Sequence, residues 1–70
     1  MKDNVFGKTL KQLRTEQKLS QRQLGEKIGF CNQTISFWES GGREPDLDAL
    51  VKISKYFEVS VDFLLGLSEC

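Results

Sequence analysis

Seventy residues bound this chain to a single small domain, near the lower size at which a hydrophobic core holds a fold without metal or disulfide. No apolar run approaches the roughly 18 residues of a membrane span, and the opening MKDNVFGK lacks the apolar core of a signal peptide, so a cytoplasmic location is expected. Ten Lys and Arg balance ten Asp and Glu, and the absence of histidine removes histidine-based acid–base catalysis.

Cys31 and Cys70 do not form a metal-ligand spacing, so neither a metal nor a cofactor is expected. A bridge between them is compatible with the sequence, but two free thiols fit a reducing compartment better.

A first helix is expected after Asp3 or Asn4, either of which can cap it, running to about Gln17. Phe6, Leu10 and Leu13 recur at helical spacing and give it one apolar stripe, while Arg14 at the stripe's edge needs a partner. Lys18 and Leu19 connect to a second helix opened by Ser20. Ser20 with Gln23 fits a capping box, and Leu19 with Leu24 fits a hydrophobic staple. Leu24 and Ile28 face inward. Gly25 between them costs about 1 kcal/mol relative to Ala, so it is either a merely tolerated glycine or a sign that another helix approaches its backbone. Gly29 ends the helix as a left-handed cap.

The third helix is expected from Asn32 to Glu39. At about 100 degrees per residue, Ile35 and Trp38 form its core face, and Asn32, Gln33, Ser36 and Phe37 form the opposite one. Asn and Gln can pair bidentately with adenine, Ser with several base edges, and an apolar ring can pack on a thymine methyl. A polar face on a short helix is ordinary. Phe37 is not: an outward aromatic calls for a partner, unless the helix bends to bury it.

SGGREPD reads as a turn in which Gly41 and Gly42 supply unusual backbone angles and free N–H groups and Arg43 a charge. Asp46 caps a fourth helix with Leu47, Leu50, Val51, Ile53, Ser54 and Phe57 as its inward stripe. Ser60 caps a short last helix, Val61 to Leu65, with Val59 and Leu64 as a second staple. Some of Val61, Phe63, Leu64 and Leu67 must close the core, and any left outside make a patch suited to self-association. Charge divides along the same line. Residues 1 to 43 hold eight Lys and Arg against four Asp and Glu, and residues 44 to 70 hold two against six. A basic half can face nucleic acid while an acidic half points away.

Taken together, LKQLRTEQKLSQRQLGEKIG, NQTISFWESGGREP and LVKISKYFEVSVDFLLG resemble the phage-repressor and Cro-like helix-turn-helix family, the XRE-type regulators, over about residues 5 to 66. The resemblance implies an all-α, five-helix lambda-repressor-like domain over residues 1 to 70, a double-stranded DNA partner and a homodimer on a two-fold-related operator. It places Asn32, Gln33, Ser36 and Phe37 at base edges. Gln21, Ser40, the Gly42 backbone and Arg43 fall at phosphates, with Gln21 aided by the helix dipole. Arg14 and Glu39 fall where the family pairs an arginine of the first helix with a glutamate ending the third. Val61 and Phe63 are the expected dimer contacts. Three positions depart from the family: Cys31 for a capping Ser or Thr, Gly25 for Ala, and Glu58 for Gly. The rival reading on the same fold is a protein-interaction module, an antitoxin or adaptor, docking through Phe37 and the acidic half. A further domain after Cys70 and a natural end at Gly66 to Cys70 are equally compatible with the sequence.

Overall fold

The computed structural model describes residues 5–66, so the expected caps Asp3 and Asn4, and Leu67 and Cys70, lie outside the described residues. Five helices follow in order: α1 Val5–Glu16, α2 Gln21–Ile28, α3 Asn32–Ser40, α4 Leu47–Phe57 and α5 Val61–Leu65. No strand occurs among the described residues. α3 packs on both α1 and α2, and α5 closes the bundle against α1 and α4.

Local chemistry sets the starts. Ser20, Asp46 and Ser60 each accept a backbone N–H three residues on, from Gln23, Ala49 and Phe63 respectively. At Ser20 the box is complete, with the Ser20 amide donating to the Gln23 side chain at 2.8 Å. The ends share one device. After α1, α2, α3 and α4 the chain turns back through a left-handed residue, and the N–H beyond it reaches the carbonyl five residues earlier: Leu19 to Arg14, Phe30 to Gly25, Gly42 to Phe37 and Val59 to Ser54, at 2.8 to 3.1 Å. Two of the left-handed residues are Gly29 and Gly41, and two are not glycine: Lys18 at φ 58° and Glu58 at φ 57°. Each of the latter carries a steric cost of roughly 1 kcal/mol. The helix-ending turn expected of a glycine at position 58 is therefore built in the same way by Glu58.

Phe6, Leu10, Leu24, Ile35, Ile53 and Leu64 are the fully buried centre, joined by Trp38, whose ring meets Phe6 edge-on at 6.0 Å. Leu19 and Val59, the outer members of the two staples, are half-buried against this core. α4 departs from its expected stripe. Leu47 is 78% and Val51 43% exposed, Ser54 is half-buried, and Ala49 is buried instead. Around the helix, Leu50, Ile53 and Phe57 cluster within about 60 degrees. The buried face extends from there toward Ala49, away from Leu47 and Val51. Val61 and Phe63 on α5 are half-buried, and Leu64 is the residue that closes the core.

Candidate nucleic-acid interface

α2 and α3 are joined by Gly29, Phe30 and Cys31, and two clamps set the position of α3. One clamp is at its entry. A Cβ on Gly25 would stand 2.2 Å from the Phe30 carbonyl oxygen. The close neighbour of Gly25 is thus the following turn and not another helix, which corrects the sequence expectation. The Phe30 N–H in turn bonds the Gly25 carbonyl at 2.8 Å, and the Phe30 ring lies edge-on to Trp38 at 5.0 Å with the Lys52 ammonium 5.2 Å from its face. Phe30 had no role in the sequence reading. Its signal was there: an apolar residue directly after a helix-ending glycine is the partner position of this turn.

The second clamp is at the exit of α3. The Arg14 guanidinium meets Glu39 through Nε at 2.7 Å and Nη2 at 3.0 Å, and its Nη1 donates to the Leu19 carbonyl at 2.8 Å. Gln21 adds a bond from Nε2 to Glu39 Oε1 at 3.1 Å. The Arg14 and Glu39 side chains keep only 12% and 6% of their surface in solvent, so this two-pronged pair is largely desolvated and geometrically fixed. One carboxylate in the last turn of α3 thereby ties down α1 and the first turn of α2. Arg14 has the partner it lacked on its own helix.

Held in this way, α3 turns Asn32, Gln33, Ser36 and Phe37 to solvent, with Ile35 and Trp38 buried behind them. Phe37 is 45% exposed, so the helix does not bend to bury it. Its N-cap, Cys31, makes no side-chain cap bond. The exposed thiol instead lies 3.2 Å from the Thr34 hydroxyl, a hydrogen bond that is the main cause of a thiol pKa below the ordinary value.

The glycine turn differs from expectation. The amides of Gly42 and Arg43 both donate to the Phe37 carbonyl, at 2.9 and 3.3 Å, and that of Gly41 to Trp38 at 3.4 Å. The free N–H expected at Gly42 is therefore spent within the turn. Ser40 likewise donates its hydroxyl to the Phe37 carbonyl at 3.2 Å. What remains outward there is the Arg43 guanidinium, stacked 5.4 Å from the centre of the Phe37 ring. At the start of α2 the Ser20 hydroxyl takes the Gln23 amide, the amides of Gln21 and Arg22 have no acceptor within their own helix, and the Gln21 side-chain amide keeps one N–H beyond the bond to Glu39. Among the described residues no three His, Cys, Asp or Glu side chains gather as a metal site, and no helix is long and apolar enough to cross a membrane.

The helix-turn-helix family pattern matches residues 10–64. The chain belongs to the helix-turn-helix family of the XRE type. Among relatives of this XRE-type chain, the HTH-type transcriptional regulator ImmR of Bacillus subtilis is 40% identical over 64 residues, 91% of this chain and 50% of the relative. The HTH-type transcriptional activator BcrR of Enterococcus faecalis is 44% identical over 61 residues, 87% of this chain and 30% of the relative. The five-helix fold is that of the P22 c2 repressor of a Salmonella phage, solved in complex with a synthetic operator: TM-score 0.84, 33% identity, 90% of this chain and 96% of that chain. The N-terminal DNA-binding domain of SinR from Bacillus subtilis gives a TM-score of 0.81 at 33% identity, over 89% of this chain and 91% of that one. The XRE-type chain spans between 30% and 58% of the length of the first curated relatives it matches.

Proposed function

We propose that this chain is a sequence-specific binder of double-stranded DNA, a transcriptional repressor or regulator that works in the cytoplasm by occupying a promoter and carries no chemistry of its own. The observation that carries this reading is the solvent-facing row Asn32, Gln33, Ser36 and Phe37 on a helix clamped at both ends. Two bidentate amides, a hydroxyl and a ring are the side chains that read adenine, mixed base edges and the thymine methyl in a major groove. Likeness to a repressor solved on its operator supports the same docking, with α3 in the groove and α2 across the backbone.

Phosphate contacts in this reading flank α3. Gln21 uses its remaining amide N–H with the open amides and dipole of the α2 start. On the other side stand Arg43 and, after rotation of its hydroxyl, Ser40; Gly42 serves by staying small beside Phe37. These contacts set register, and the α3 row then discriminates sequence. The chain acts as a homodimer on a two-fold-related operator, with Val61 and Phe63 of α5 as the pairing surface.

Selection of bound duplexes from a random pool, combined with a salt titration, tests this. A two-fold-symmetric consensus bound with steep salt dependence is the expected result. Failure to enrich any sequence would instead favour a protein-interaction module on the same fold, an antitoxin or adaptor docking through Phe37.

A further inference from the structure

We infer that Phe37 is a positioning residue for Arg43, so that the outward ring of α3 and the cation of the following turn bind DNA as one unit. The inference rests on the DNA-binding reading and adds a coupling that neither residue's separate assignment contains. Three observations meet at Phe37. Its ring carries the Arg43 guanidinium at 5.4 Å. Its carbonyl accepts the amides of Gly42 and Arg43 and the Ser40 hydroxyl, at 2.9, 3.3 and 3.2 Å, which pins the backbone from which Arg43 extends. Finally, a Cβ on Gly42 would stand 3.3 Å from Phe37 Cδ1, so the residue between them is kept small where the ring sits.

The physics favours a held cation over a free one. Arginine has among the largest rotamer freedom to lose when it is fixed on a phosphate. An aromatic face attracts a guanidinium and limits the directions it samples while leaving its N–H edge open to solvent. A phosphate approaching this end of α3 therefore meets a guanidinium already held against the Phe37 ring. A thymine methyl against the exposed part of the ring and a phosphate on Arg43 are thus bound by a shared element. Leucine at position 37 can replace the apolar contact with the methyl, but it has no π face to hold the cation.

The test is a double-mutant cycle on random-sequence duplex, where base readout is absent, using the whole 70-residue chain. Phe37→Leu is expected to weaken binding about two- to five-fold, the worth of an exposed cation–π contact. That loss should fade as salt rises. Phe37→Tyr, which keeps the face, should retain the salt-sensitive part of binding that Phe37→Leu loses. Arg43→Ala should lower the salt slope by about 0.9, one phosphate's worth. In the Arg43→Ala background, Phe37→Leu should change nothing further. Thermal melts of each variant exclude a folding cause, since the ring is half in solvent. An equal loss from Phe37→Leu with and without Arg43, or a loss from Phe37→Tyr as large as that from Phe37→Leu, overturns the coupling while leaving DNA binding intact. A parent chain that binds no duplex at all overturns the DNA-binding reading and this inference with it.

Discussion

Replacing Gly25 by alanine should destabilise this protein, although it puts the best helix former into the middle of a helix. Taken alone, the exchange favours the folded state by about 1 kcal/mol. Against this, the new Cβ would lie 2.2 Å from the Phe30 carbonyl oxygen, 3.2 Å from its carbon and 3.4 Å from the Cys31 carbonyl carbon. An ordinary carbon–oxygen approach is about 3.3 Å or more, so the turn must retreat by about 1 Å. It has little freedom to do so, because the Phe30 N–H is bonded to Gly25 itself and its ring is seated on Trp38. Overpacking of a fitted site costs about 1–3 kcal/mol, and stretching the Phe30 to Gly25 hydrogen bond adds about 1 kcal/mol. The net is a loss of about 1–3 kcal/mol, which in a domain of this size lowers Tm by roughly 4–24 °C. Thermal and urea melts followed by circular dichroism measure it, with unchanged urea m-value as the sign that only stability moved. A variant as stable as the parent, or more so, would refute the idea that the Phe30 carbonyl clamps the entry to α3.

Four other outcomes are expected. Gln33→Ala should weaken the cognate duplex by about 1–3 kcal/mol and relax specificity at one base pair; an equal loss on random duplex would remove Gln33 from base readout. Arg43→Ala should weaken all duplexes about equally and flatten the salt dependence, as titrations at several salt concentrations will read. Glu58→Gly should raise stability by up to about 1 kcal/mol in a urea melt by relieving the left-handed backbone there, offset in part by the greater freedom of glycine in the unfolded chain. Glu39→Ala leaves the largely buried Arg14 guanidinium without its carboxylate and should cost about 3 kcal/mol in the same assay, far more than an exposed ion pair.

Features carried by a side chain's own local chemistry could be read directly from the sequence. The box at Ser20, the caps at Asp46 and Ser60, and the division of α3 into a core face and an outward face each follow from spacing within one helix. The Arg14–Glu39 pair spans 25 positions, and only the family resemblance joined its ends. The α4 face was misread because helical spacing alone cannot tell on which side of Leu50 a neighbour lies; α4 packs on α5 and α2 with Ala49 buried and Leu47 and Val51 left outside. The turn at Glu58 was marked only by the family resemblance, and that at Lys18 was opaque, for a different reason. Glycine announces a left-handed backbone, whereas a charged residue that adopts one gives no such sign. The hydrogen bonds closing the glycine turn on Phe37 were likewise invisible, since they depend on the angle at which α3 ends.

The clamps at Gly25 and Glu39 also bear on the heat of complex formation. Because both ends of α3 are fastened to the body of the domain, the helix reaches a duplex with its order already established in the folded monomer. Titration calorimetry across temperature should then show a heat-capacity change no larger than the contact area itself accounts for, without the additional burial of roughly 1,000–3,000 Å² that marks a segment folding as it binds.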